Sequence, residues 1–234
     1  MPSRSQEGKA ATGGVPRHAF REQEAVWTDL LAMGQAVVGS LEKSVTAVCD
    51  DRVDLISEVK EEEEETDRKE VQIEQECLRI LALFEPVASD LRRMATVLKV
   101  NRDWERIADL ALRVARRVRK LGRKFPDIAA PDSLKDLARA VLAHVKSAQV
   151  ALVEVDAAQA RAVIAGDQAI DEAYRGVRRQ LKDQLAAHPD QLDGWLLLLN
   201  SARNLERIAD HATGIAQTVV FLQEGTIIRH AENK

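Results

Sequence analysis

The chain contains the five-residue sequence Glu-Arg-Ile-Ala-Asp twice, at positions 105–109 and 206–210. The second copy begins 101 residues after the first in a chain of 234 residues. An internal repeat on this scale means that the two halves form the same kind of supersecondary unit, which excludes most other architectures. The sequence therefore predicts a protein built from two similar units.

Both copies lie in segments where apolar residues recur at the spacing of an α-helix. The composition agrees, because 6 prolines, 11 glycines and 3% aromatic residues favour long helices over sheets. We predict an all-α fold in which six long helices form two repeated three-helix bundles. The predicted helices cover about 16–49, 51–84, 88–121, 132–155, 157–187 and 190–223.

The boundaries between units follow from breaks in this pattern. The sequence GRKFPDIAAP holds two prolines and a glycine, which predicts a linker between the third and fourth helices. The N-terminal residues are polar and rich in glycine, which predicts a disordered tail. The predicted division is a tail at 1–16, a first repeat at 17–122, a linker at 123–131, a second repeat at 132–224 and a C-terminal tail at 225–234.

Each copy of the motif places two acidic residues four positions apart, Glu105 with Asp109 and Glu206 with Asp210. Side chains at this spacing lie on the same helix face, one turn apart, and like charges there repel each other by about 0.2–0.5 kcal/mol. Two kinds of cation would offset the repulsion. Neighbouring arginines could neutralise the acids, or a metal ion could bind them, since carboxylates are ligands for Mg²⁺, Mn²⁺ and iron. The spacing alone leaves both possibilities open.

The second helix of each half carries a further acidic pair at the border of its apolar stripe. Glu63 and Asp67 correspond to Asp167 and Asp171, which lie 104 residues later. If the second and third helices of each half pack antiparallel, four carboxylates converge on one patch in each bundle. The candidate metal ligands are therefore Glu63, Asp67, Glu105, Asp109, Asp167, Asp171, Glu206 and Asp210.

Several function classes are excluded by composition and by missing motifs. The net charge of −4 provides no general basic footprint, so we expect no nucleic-acid partner. Cys49 and Cys77 lack metal-ligand spacing and are typical of reduced thiols. No segment resembles a signal peptide or a membrane span. We therefore expect a cytoplasmic protein. His144 is isolated from other candidate ligands, and His211 is expected to pack at the core boundary or to support a metal ligand.

Two segments resemble the PhoU family: residues 202–212, ARNLERIADHA, match its signature, and residues 83–93, LFEPVASDLRR, match the turn between its second and third helices. The resemblance extends over the chain from about residue 17. It implies two bundles related by a pseudo-twofold axis, a homodimer, and metal ions (Fe, Mn, Zn or Mg) bound by the acidic pairs.

The resemblance also implies a function. A PhoU-like protein is expected to be a non-enzymatic negative regulator of the phosphate-starvation response. It would couple a phosphate ABC transporter, through a PstB-like ATPase, to a PhoR-type sensor histidine kinase, and would meet the membrane only through these partners.

The chain departs from the family pattern at the first motif. Arg113 and Gly214 stand where the family commonly has asparagine, four residues after the motif aspartate. An arginine at this position could itself occupy the first acidic patch. One alternative is therefore a metal-free helical adaptor for another phosphate transporter. A separate alternative is a ferritin-like di-iron enzyme, but such a site needs two Glu-x-x-His motifs, and the sequence has none.

Overall fold

The computed structural model of the chain describes residues 17–228, and all regular secondary structure in that range is helical. The predicted six-helix, all-α fold is confirmed. No helix within these residues has a segment long and apolar enough to cross a bilayer. The helices are α1 Arg17–Asp50, α2 Ile56–Phe84, α3 Ala88–Lys124, α4 Asp132–Glu154, α5 Ala157–Ala187 and α6 Leu192–Glu224.

The helices form two three-helix bundles that lie side by side. In the first half α1, α2 and α3 pack against one another, and in the second half α4, α5 and α6 do the same. Helix α3 also packs along α6, and α1 packs along α4. One continuous apolar core therefore runs through both bundles and includes residues from all six helices. The predicted limits of the repeats and linker stay predictions. The predicted tail at 1–16 and residues 229–234 of the predicted C-terminal tail lie outside the described residues.

The start of the second helix was predicted wrongly. Helix α2 begins at Ile56 and not near Asp51, because the chain first makes a left-handed turn at Asp51 (φ 56°) and a short 3₁₀ turn at Val53–Leu55. Aspartate is one of the few residues that adopt this backbone conformation without a large penalty. The end of α6 agrees with the sequence, since Gly225 (φ 75°) donates its N–H to the carbonyl of Phe221 at 2.9 Å.

Trp104, which directly precedes the first motif, lies fully buried where α3 meets α1. Gly34 of α1 faces its indole ring, and a Cβ atom at Gly34 would lie only 2.8 Å from Cε2 of Trp104. This glycine is therefore required for the close approach of the two helices. The packing of Trp104 into the core orients the motif that follows it, so that Glu105 and Asp109 reach the surface of the bundle.

Candidate functional site

The second acidic patch consists of Asp167 and Asp171 on α5 and Glu206 and Asp210 on α6. The two helices follow each other through a short turn and pack together, which brings the two pairs side by side. Burial raises the pKa of Glu206, and Asp210 and Asp171 raise it further. Burial likewise raises the pKa of Asp210, and the charges of Asp167 and Asp171 raise it further, although part of the Asp210 side chain remains exposed. The patch thus concentrates negative charge.

Little positive charge offsets this patch. Within residues 17–228, neither Glu206 nor Asp210 forms an ion pair within 4.0 Å, while Asp171 pairs with Arg175 at 3.3 Å. Arg203 and Arg207 lower the pKa of Glu206, and His211 and Arg207 lower that of Asp210, but burial and the neighbouring acids have the larger influence on each. The second patch therefore carries more negative charge than its own neighbours neutralise.

A hydrogen-bonded chain holds Asp167 in place. The hydroxyl of Thr213 donates to Oδ1 of Asp167 at 2.9 Å, and Nε2 of His144 lies 3.0 Å from the same hydroxyl oxygen. The hydroxyl hydrogen of Thr213 is donated to Asp167, so the hydroxyl oxygen can only accept a second hydrogen bond. Nε2 of His144 must therefore donate to the hydroxyl oxygen of Thr213. Burial lowers the pKa of His144, which keeps the ring neutral, although Asp167 opposes this. The expectation that His144 is isolated was wrong.

The first acidic patch consists of Glu63 and Asp67 on α2 and Glu105 and Asp109 on α3. Burial raises the pKa of Glu63 and of Glu105, and each is raised further by neighbouring acids of the same patch. The eight predicted residues therefore come together as two groups of four, one group on each bundle.

Arginines neutralise part of the first patch. Nε of Arg113 donates to Oδ1 of Asp109 at 2.8 Å, and Nη1 of Arg106 lies 4.0 Å from Oδ2 of the same residue. Arg106 also approaches Glu105 at 3.3 Å. The guanidinium of Arg113 thus pairs with one carboxylate oxygen of Asp109, which a metal ion bound there would have to share or displace. The two patches have the same acidic spacing but different charge balance.

Two further acids extend the first patch along α2 and were missed from the sequence. Glu70 and Glu74 join Asp67 and Glu105 in lining a cavity of 440 Å³, which Arg102 and Arg106 also line. Burial, and then Glu74 and Asp67, raise the pKa of Glu70. The signal was present, because Glu63, Asp67, Glu70 and Glu74 follow the spacing of one helix face.

The donor chemistry fits a divalent cation better in the second patch than in the first. The second patch offers four carboxylates with little compensating charge, whereas Arg113 and Arg106 already occupy the first. In neither patch do the side chains converge as they stand: over residues 17–228, no three Asp, Glu, His or Cys side chains are close enough to share one metal ion. A bound cation would have to draw the carboxylates inward.

His211 faces the first bundle and not the acids beside it. Its Nδ1 lies 2.9 Å from Oδ1 of Asp103, so the pair joins α6 to α3. Gly214, one turn later, faces the same aspartate, although a Cβ atom there would make only an ordinary van der Waals contact, 3.5 Å from Oδ2 of Asp103. His211 therefore links the two bundles through its contact with Asp103.

These features define a class of protein: an all-helical, two-repeat bundle protein with one acidic patch on each repeat. A family model described as the PhoU domain matches residues 30–118 and 134–219, which make up more than half of the chain. The chain therefore belongs to the PhoU family. Each matched segment falls within one of the two bundles, as the internal repeat predicted.

Named relatives and solved structures agree with this assignment. The chain is 34% identical over 222 residues to the phosphate-specific transport system accessory protein PhoU homolog of Pseudomonas putida, covering 95% of this chain and 87% of that protein. The Escherichia coli K12 accessory protein PhoU is 29% identical over 210 residues, with 89% and 86% covered. The crystal structure of PhoU from Pseudomonas aeruginosa superposes with a TM-score of 0.85 at 34% identity, covering 88% of this chain and 99% of that one.

Proposed function

We propose that the chain is a non-enzymatic regulator of a phosphate-specific transport system. Its relatives from Pseudomonas putida and Escherichia coli are named as accessory proteins of such a system. In this role the chain restrains phosphate uptake and acts as a negative regulator of the phosphate-starvation response. The family match across both halves of the chain is the observation that carries the proposal.

The partners proposed are a PstB-like transporter ATPase and a PhoR-type sensor histidine kinase. A protein that couples these two partners works in the cytoplasm, where both expose their catalytic domains, and meets the membrane only through them. We propose a homodimer as the working form. Cross-linking and light scattering of the purified chain, with and without the ATPase, would test both the self-association and the partner.

The second acidic patch is proposed as a metal site for Fe, Mn, Zn or Mg. Glu206, Asp210, Asp167 and Asp171 would hold the cation, which would neutralise their mutual repulsion and brace α5 against α6. Thr213 would keep Asp167 oriented, as outer hydrogen bonds commonly do for metal ligands. The first patch would bind metal more weakly, because a cation there must displace Arg113 from Asp109.

The metal content of variants in each patch tests which of the two patches binds metal. Tag-free protein purified without chelators would be analysed by plasma mass spectrometry beside Glu206→Ala/Asp210→Ala and the matched variant Glu105→Ala/Asp109→Ala. We expect bound metal in the wild type, a large loss in the first variant and a small change in the second. Negligible metal in all three proteins after anaerobic reloading would refute the metal site and leave the regulator intact.

A metal-free adaptor is the second candidate, and two observations favour it. In the described part of the chain no three donor side chains converge, and Arg113 already neutralises Asp109. In this case the acidic patches would contact a basic surface of a partner. The two candidates differ in the metal analysis, and both predict that Glu206→Ala/Asp210→Ala weakens binding to the partner.

The regulatory role is tested in a host whose own PhoU has been deleted. Expression of this chain should return the phosphate-starvation response to its low level when phosphate is plentiful, measured with a starvation-induced reporter enzyme. A fully active response despite normal amounts of the folded chain would contradict the proposed function. Hydrolysis of a phosphate ester by the purified chain would contradict its non-enzymatic character.

A further inference from the structure

Five basic side chains lie together on the last three turns of α3. They share one helix face because their spacing is three, one, three and one residues, and all five are exposed. Among the described residues, these five side chains line a cavity of 360 Å³. This basic cluster consists of Arg116, Arg119, Lys120, Arg123 and Lys124.

The cluster lacks acidic partners. Among residues 17–228, none of its members forms an ion pair within 4.0 Å, unlike Arg113, which pairs with Asp109 one turn before the cluster. Arg116 lies near enough to Glu63 and Glu64 to lower the pKa of both, but it bonds to neither. The negative end of the helix dipole favours cations only in the last turn, so it accounts for Arg123 and Lys124 and not for the rest.

The lining of the cavity indicates what would fill it. Guanidinium groups donate paired hydrogen bonds to phosphate oxygens, and lysines add point charges. Five positive charges exceed what a single phosphate of about −1.5 to −2 neutralises, so two or three linked phosphates match the cluster better. Among the described residues that line the cavity none is aromatic, so none of them would stack on a base.

We propose that the basic cluster binds a small anion with two or more linked phosphate groups, and that it recognises the phosphates and not an attached nucleoside. The cluster lies on α3, whereas the proposed metal ligands of the second patch lie on α5 and α6, so the two proposals share no residue. An acidic protein segment or an anionic membrane would use the same charges, but either would extend well beyond a concavity of this size.

The test is isothermal titration calorimetry on the full chain with chelator present, at low and at physiological salt. The ligands are orthophosphate, pyrophosphate, tripolyphosphate, AMP, ATP and citrate. Affinity should rise with the number of linked phosphates, ATP should match tripolyphosphate within about threefold, and AMP and citrate should bind weakly. Lys120→Glu/Arg123→Glu should weaken tripolyphosphate binding by at least about 100-fold. Each of the two substitutions removes one charge-assisted hydrogen bond, and the loss of each bond lowers the affinity by about tenfold.

The matched control is Arg178→Glu/Arg179→Glu on α5, which changes the charge by a similar amount at exposed positions away from the cavity. It should bind tripolyphosphate nearly as well as the wild type. Equal losses in both variants would show a general charge effect and overturn the site. Equal affinity for citrate and tripolyphosphate would overturn the phosphate preference. Binding to anionic lipid vesicles without any binding of tripolyphosphate would assign the cluster to a membrane surface instead.

Discussion

Replacing Asp210 with asparagine should stabilise the metal-free protein, because it removes one charge from the second acidic patch with little change in side-chain volume. Asp210 shares the patch with three other carboxylates, and burial and its neighbours raise its pKa. One like-charge pair on a helix surface is unfavourable by about 0.2–0.5 kcal/mol. Three pairs, partly screened by solvent, therefore predict a gain of roughly 0.5–1 kcal/mol for Asp210→Asn.

Asp109→Asn is the matched control, because Asp109 occupies the same place in the first motif. Here the substitution breaks the 2.8 Å ion pair with Arg113, and a partly exposed pair of this kind contributes about 0.2–1 kcal/mol. The loss of the ion pair opposes the relief of repulsion, so we expect no gain in stability. The two variants therefore separate an uncompensated patch from one that arginine compensates.

The assay is thermal unfolding followed by far-ultraviolet circular dichroism, at low ionic strength and with chelator. For a chain of this size about 1 kcal/mol shifts Tm by 2–4 °C, so Asp210→Asn should raise Tm by about 1–4 °C. The gain should shrink near 1 M salt, where the screening length is about 3 Å. A lower Tm in Asp210→Asn, or a gain that high salt leaves unchanged, would show that repulsion does not govern this patch.

Three further predictions test the same structure. The raised pKa values of Glu206 and Asp210 mean that these carboxylates bind protons more readily in the folded than in the unfolded chain, so their contribution to stability grows as the pH falls. As the pH falls from 7 towards the ordinary pKa values of these side chains, about 4, the Tm of metal-free wild type should therefore rise relative to Glu206→Gln/Asp210→Asn, and a parallel profile would contradict the shifts. Thr213→Val should lower the free energy of unfolding in urea by about 1–3 kcal/mol, because it leaves the buried His144 N–H without an acceptor, while Thr213→Ser should restore most of the loss. Gly34→Ala should lower it by about 1–3 kcal/mol through contact with Trp104, and the loss should be smaller in a Trp104→Leu background; equal losses in both backgrounds would contradict this contact.

Most of the fold could be predicted from the sequence because its signals are local. The recurrence of apolar residues determines where helices form, and Pro86 and Gly225 mark two of their ends. Helix α5 begins and ends at the predicted residues, 157 and 187. The error at the start of α2 arose because Asp51 suits either a turn or a helix N-cap, and no local pattern showed that a 3₁₀ turn at Val53–Leu55 comes before the helix.

The acidic residues of the site could also be predicted, since their spacing places them on one helix face and the repeat duplicates them. Their hydrogen-bond partners could not. Thr213 lies 46 residues from Asp167 and 69 from His144, and His211 lies 108 residues from Asp103. No local pattern connects residues so far apart, because only the packing of α4, α5 and α6, and of α3 against α6, brings them within bonding distance.

The sequence by itself therefore determined the helices, the repeat and the two sets of acids. The sequence also indicated one difference between the sets, because Arg113 stands one turn after Asp109 whereas Gly214 stands at the matching position after Asp210. Only the tertiary structure showed that Arg113 pairs with Asp109 at 2.8 Å, and that Asp167 and Asp171 of α5 lie near enough to Asp210 to raise its pKa. The physical reason is that helical periodicity specifies which side chains share a face, whereas the electrostatics of a patch depend on every element that packs beside it.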